Sequence, residues 1–179
     1  MVETGKPAPD FTLSDSAGLE QSLSDFKGKY VVLEWTNHQC PFVKKFYSNG
    51  AMQSLQEEMT EKGVVWLQIL SSAEGKQGYL TASEAEAIGE EQEVGSTALL
   101  LDSEGIVGHK YGARTTPHMF LINPEGLVIY QGAIDSIKST DSADVAKATN
   151  YVKLAYESAI AGKSVDPNTT TPYGCSIKY

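Results

Sequence analysis

Tyr30-Val31-Val32-Leu33-Glu34-Trp35-Thr36, then Asn37-His38-Gln39, then Cys40-Pro41-Phe42-Val43, joins three kinds of local structure in one short run. The first part is β-branched and aromatic, and apolar on both faces except at Glu34, as a central strand covered on both sides should be. Pro41 suits the first turn of a helix, where no amide donor is needed. Cys40 therefore lies between the carboxyl end of a buried strand and the head of a helix, where open α/β sheets bind ligands. Unpaired helix amides and the positive end of the dipole favour a thiolate there, and the thiolate is the nucleophile. A buried, inert cysteine is the alternative; the junction position argues for the reactive one. Glu34, set among Val31-Val32-Leu33 and Trp35, is expected to be buried rather than solvent-facing. Desolvation should raise its pKa toward the range useful for proton transfer to and from sulfur.

Working outward, Gly5-Lys6-Pro7-Ala8-Pro9-Asp10 is held extended by its prolines and leads into a short strand at Phe11–Leu13, with Gln21–Leu23 pairing back as a hairpin across Ala17-Gly18. The helical stretch Phe42–Lys62 is interrupted at Asn49-Gly50. Val64–Leu70 reads as a second buried strand, Thr81–Glu91 as an acidic helix opening on Thr81, and Ala98–Leu101 as a third strand. Met119–Ile122 and Leu127–Tyr130 form a hairpin across Asn123-Pro124-Glu125-Gly126. Ala143–Ala161 carries helical spacing and ends at Gly162. This order predicts an α/β fold, a mixed central sheet with helices on both faces and an N-terminal hairpin extension. Residues 1–162 make one domain, and 163–179, with Pro167 and Pro172, a tail carrying Cys175.

The composition narrows the function. With 14 Lys and Arg against 23 Asp and Glu, the net charge of −9 leaves no basic stripe for nucleic acid. No apolar run approaches the ~20 residues of a membrane span. Met1–Gly5 has neither a basic nor an apolar leader region, which points to the cytoplasm, or to export (periplasmic) if a signal segment has been removed. Two cysteines are too few for a disulfide scaffold or a thiolate zinc site, and suit a catalytic thiol or a redox pair.

The segment Glu34–Val43 resembles the active-site segment of the thioredoxin superfamily. Gly5–Leu13 together with Leu23-Ser24-Asp25-Phe26-Lys27-Gly28-Lys29 resembles its redoxin branch, which holds the peroxiredoxins of the alkyl hydroperoxide reductase/thiol-specific antioxidant type and the thiol reductases of cytochrome maturation. Tyr111-Gly112-Ala113-Arg114-Thr115-Thr116-Pro117 is similar to the loop that ends in a cis-proline beside the nucleophile. The nearest resemblance is to a peroxiredoxin-like group with a Cys-Pro-Phe-Val-Lys-Lys segment. It implies a thioredoxin-like fold, a cis bond at Pro117 and a Thr116 backbone open to an extended substrate strand. It also sets Arg114, Asn37 and His38 near the substrate, His38 tuning the thiolate. Lys44 and Lys45 either support the thiolate or belong to a solvated face. No cofactor is implied, and no metal: His38, Cys40 and His118, with His109 or Cys175, do not make a set expected to converge.

The departures from the family pattern shape the expected chemistry. The second cysteine of Cys-x-x-Cys is replaced in Cys40-Pro41-Phe42-Val43, so no adjacent thiol can release a disulfide on Cys40. Asn37 stands where a peroxidase carries threonine, and Arg114, the only arginine, sits where thioredoxins place one. The leading expectation is a thiol–disulfide oxidoreductase: Cys40 attacks, and Cys175 or an external thiol resolves the mixed disulfide. A thiol peroxidase passing through Cys40 sulfenic acid is the second. A metal chaperone or redox-regulated binding module is the third. The expected partners are a disulfide or peroxide substrate and an external thiol reductant.

Overall fold

The computed structural model describes residues 2–179. Its centre is a five-stranded mixed sheet made of β3 (Val31–Trp35), β4 (Val65–Leu70), β5 (Ala98–Leu101), β7 (His118–Ile122) and β8 (Val128–Gly132). The strands run in the order β5-β4-β3-β7-β8; β3, β4 and β5 are parallel, while β7 is antiparallel to both β3 and β8. A hairpin of β1 (Thr12–Ser14) and β2 (Glu20–Ser22) precedes the sheet and touches it through an antiparallel bridge between Asp15 and Leu100. The α/β architecture, the mixed sheet and the hairpin extension all agree with the sequence reading.

Strand alternation divides the apolar side chains between two faces. Val32, Trp66, Met119 and Leu121 face α1 (Pro41–Tyr47), α2 (Ala51–Glu61) and α5 (Tyr151–Ile160), and pack with Phe46, Met52, Met59, Val152 and Cys40. Leu33, Trp35, Leu67, Ile69 and Phe120 face the other way, onto Phe11, Val107 and Tyr111. Cys40 is thus built into the face covered by α1, α2 and α5. The break between α1 and α2 falls at Asn49-Gly50, where Gly50 takes a positive φ of 77° and Asn49 Oδ1 accepts from the Ala51 amide. Thr81 opens α3 (Ala82–Glu91) in a reciprocal capping box with Glu84.

Two expectations need correction. The single helix expected over Ala143–Ala161 is a 3₁₀ turn at Ser142–Lys147 followed by α5 from Tyr151. Between them the backbone pairs sideways: Ser136 N donates to Thr149 O, Tyr151 N to Ile134 O, and Asn150 Oδ1 then caps the Lys153 amide. Helical spacing alone does not reveal this competing pairing.

The other correction is α4 (Ile106–Tyr111), a helix that the sequence reading passes over. Asp102 organises it. Its carboxylate accepts from the Val107 and Gly108 amides at 3.2 and 2.9 Å and from Ser71 Oγ at 2.6 Å, while Trp35 Nε1 donates to Ser71 Oγ. Asp102→Ala should therefore lower stability by about 2–3 kcal/mol, because buried amides lose their acceptor. Chemical denaturation would read this directly, and a loss within experimental error would remove Asp102 as the organiser of α4.

Candidate active site

Cys40 occupies the N-cap position of α1, with an extended backbone and Pro41 as the first helical residue. The turn before it is fixed by Asn37, whose Oδ1 accepts from the Gln39 amide and whose carbonyl accepts from the Cys40 amide. The Cys40 side chain is fully enclosed. Its sulfur lies 3.3 Å from the Thr116 carbonyl and 2.6 Å from the sulfur of Cys175, both cysteines being free thiols.

The partner thiol arrives on the C-terminal segment. Residues Cys175–Ser176 form β9, which runs antiparallel to β6 (Thr115–Thr116) and sets Cys175 opposite Thr116. Ile177 N donates to Arg114 O, extending the pairing by one bond. The Thr116–Pro117 bond is cis, as the resemblance implies. The Thr116 backbone was expected to stand open to an incoming strand; instead the chain's own β9 occupies that edge. Gly174, at φ 146°, passes so close to the Thr116 carbonyl that any Cβ there would collide with it.

The two sulfurs differ electrostatically. Burial pushes the Cys40 thiol up, but its contact with the Cys175 thiol outweighs it, leaving Cys40 below its ordinary value. Cys175 is pushed up to about 11 by burial, by its hydrogen bond to Cys40 and by the negative charge there. Of the two sulfurs, Cys40 is therefore the one that ionises first.

Glu34 is completely buried and accepts three hydrogen bonds: from Tyr47 Oη at 2.6 Å, Trp66 Nε1 at 2.8 Å and Gln56 Nε2 at 3.1 Å. Burial dominates and raises its pKa to about 7, with those three donors acting in the opposite sense. None of the three comes from a sulfur. The other anticipated residues are spread around the pair. Arg114 is exposed, and its amide donates to Nδ1 of buried His118, whose pKa falls to about 3 through burial and then the Arg114 charge. The Asn37 Nδ2 donates to Gln77 Oε1 at 3.4 Å. His38, lowered by burial and by Lys44, has a buried Nδ1 without a partner and borders a cleft of about 340 Å³ beside α3 that neither cysteine lines. Among the described residues, no group of three or more His, Cys, Asp or Glu is placed to hold a metal.

The sequence reading missed the cluster beneath the C-terminal segment. Lys45, left undecided between site and surface, is buried, and its Nζ donates to Ile137 O at 2.8 Å and to Tyr173 Oη at 3.0 Å. Tyr173 donates in turn to Asp135 Oδ1 at 2.5 Å, and Asp135 Oδ2 lies 4.0 Å from Lys45 Nζ. The only sequence signal was a lysine at helical spacing on an otherwise apolar face, next to one that is exposed.

Comparison with known proteins finds similarity to redox proteins in sequence and to uncharacterised proteins in fold. Residues 4–131 match the model of the AhpC/TSA family. The thiol-disulfide oxidoreductase ResA of Bacillus subtilis is 30% identical over 128 residues, covering 72% of this chain and 66% of ResA. Two solved structures superpose over the whole chain. One is an uncharacterised conserved protein of Geobacillus kaustophilus, with a TM-score of 0.85, 23% identity and 93% of that chain covered. The other is a hypothetical protein of Sinorhizobium meliloti, with a TM-score of 0.83, 24% identity and 96% covered. Identities this low speak to the fold alone. No helix among the described residues is long and apolar enough to cross a membrane.

Proposed function

The chain belongs to the AhpC/TSA family, and from that premise we propose that it is a two-cysteine thiol–disulfide oxidoreductase in which Cys40 attacks and Cys175 resolves. The observation that carries the reading is the 2.6 Å separation of the two sulfurs, with the lowered pKa on the enclosed one. The Cys40 thiolate attacks one sulfur of a substrate disulfide; that S–S bond breaks and the departing thiolate takes a proton. Cys175 then gives up its proton and attacks the Cys40 sulfur. This forms a Cys40–Cys175 disulfide and expels the second substrate thiolate. The substrate has gained two electrons, and an external dithiol returns two to the protein. Because Cys40 is enclosed, β9 must leave the β6 edge before a substrate can reach it.

The surroundings favour a disulfide over a peroxide. Cys40 has a carbonyl acceptor beside it, the single guanidinium is at the surface, and the Asn37 amide group is engaged elsewhere. Tight binding of a peroxide in its transition state would call for donors aimed at the leaving oxygen. Stopped-flow mixing of reduced protein with a small disulfide and with hydrogen peroxide tests the choice. Disulfide should react faster, and peptide mass spectrometry should then find Cys40 joined to Cys175 within one chain. Sulfinic acid at Cys40 beside a free Cys175 would reject the resolving role, and faster reaction with peroxide would reject the substrate class.

A further inference from the structure

The Lys45–Asp135–Tyr173 cluster does nothing in the scheme above, yet it buries two ionisable side chains. The Lys45 and Asp135 side chains are 0% and 2% exposed, and their charged atoms lie 4.0 Å apart, longer than a good ion-pair hydrogen bond. Asp135 Oδ2 has no hydrogen-bond partner. Desolvating such a pair is costly, and well-packed apolar residues would often serve stability equally well. Its placement suggests what it gives in return. Lys45 belongs to α1, the helix that begins at Cys40; Asp135 follows β8; Tyr173 lies two residues before Cys175. The Tyr173 hydroxyl bonds both charged groups at once, donating to Asp135 Oδ1 and accepting from Lys45. Its ring lies edge-on to Phe42, two residues after Cys40, at 5.8 Å between centroids, with Lys45 Nζ 5.2 Å from its own centroid.

We propose that Lys45, Asp135 and Tyr173 form a latch that positions the resolving thiol: by fixing Tyr173 to the helix that carries Cys40, the latch holds Cys175 in register against it. These are positioning residues, since none touches either sulfur. A hydroxyl that bonds two buried charges is oriented far more narrowly than an apolar ring in a pocket, because charge-assisted hydrogen bonds are short and directional. Only Gly174, whose backbone is pressed against the Thr116 carbonyl, separates that anchor from Cys175. In the language of tethered groups, the latch raises the effective concentration of one thiol at the other. The inference rests on the pairing of Cys40 with Cys175 proposed above.

The test is the equilibrium between glutathione and the Cys40–Cys175 disulfide, read by acid quench and alkylation, for wild type, Tyr173→Phe and Asp135→Asn. Val107→Ala, in the apolar cluster on the opposite face of the sheet, serves as a destabilised control. Tyr173→Phe keeps the ring and removes only the hydroxyl. It should weaken the intramolecular disulfide about tenfold or more, as the loss of a hydrogen bond to charged groups implies, and glutathionylated protein should accumulate in its place. Asp135→Asn should act in the same direction. Equilibria unchanged in both variants would overturn the latch, as would an equal weakening in Val107→Ala, which would trace the effect to global stability. If wild type itself forms no such disulfide, the resolving role of Cys175 falls, and the latch with it. A wild-type disulfide that the variants leave untouched removes the latch alone.

Discussion

Replacing Cys40 by serine should abolish disulfide exchange, by ~10³-fold or more, because a hydroxyl at neutral pH supplies no anion able to attack a disulfide sulfur. Cys175→Ser should fail differently. The first attack still occurs, but the protein stops as a mixed disulfide on Cys40, so a burst of one equivalent replaces continuous turnover. The asymmetry follows from the environments of the two sulfurs. Cys40 is held below its ordinary pKa beside the Cys175 thiol, while Cys175 is pushed up to about 11 and stays protonated at neutral pH. Rapid-quench kinetics with a chromogenic disulfide distinguishes the two variants. Full multiple turnover in Cys175→Ser would transfer resolution to an external thiol. Activity surviving in Cys40→Ser would reverse the assignment of nucleophile.

The second large effect concerns Glu34. Its pKa is raised by burial to about 7 from an ordinary value of 4.5. As pH rises past 4.5, the unfolded chain ionises at this position while the folded chain stays protonated, so stability is lost until the folded group also ionises near pH 7. The cost grows across that window to roughly 3 kcal/mol and is constant above it. Glu34→Gln has no proton to lose. Its stability relative to wild type should therefore rise by about that amount between pH 4 and pH 8, measured by urea denaturation at each pH. A flat difference would mean that Glu34 ionises in the folded protein as it does in water. The same variant asks whether the carboxyl also moves protons to and from sulfur. If it does, turnover near neutral pH drops by up to ~10²-fold; an unaltered pH–rate profile confines Glu34 to its network with Tyr47, Trp66 and Gln56.

Much of this was legible in the residues because it follows from local rules. The doubly apolar run at Val31–Trp35 forms the central strand, Pro41 starts α1, Asn49-Gly50 breaks the following helix, and Thr81 caps α3. The burial of Glu34 followed from its neighbours, and the cis bond at Pro117 from resemblance. What escaped was set by distant partners. The split near Ala148 depends on residues 134–136 offering their backbone, and α4 depends on an aspartate that also serves Ser71 and Trp35. The Lys45–Asp135–Tyr173 cluster joins three segments far apart in sequence, and no periodicity connects them. Likewise, the sequence shows that residues 163–179 could span the body, but not that the β6 edge would be where they come to rest.

The pairing of β9 with β6 also turns the C-terminal segment into a ruler. Tyr173 and Cys175 pack into the cluster beneath α1, Ser176 is exposed, and Ile177 packs into the cluster on the opposite face of the sheet. Sliding the segment by one residue would bring Gly174 or Ser176 to the nucleophile and carry the thiol to the outside. Chemistry at Cys40 thereby depends on a count: two positions from the tyrosine that anchors the segment to the cysteine that reacts. Composition elsewhere in the segment can drift with modest effect. Inserting or removing a single residue between 173 and 175 would separate two thiols that every individual side chain still favours bringing together.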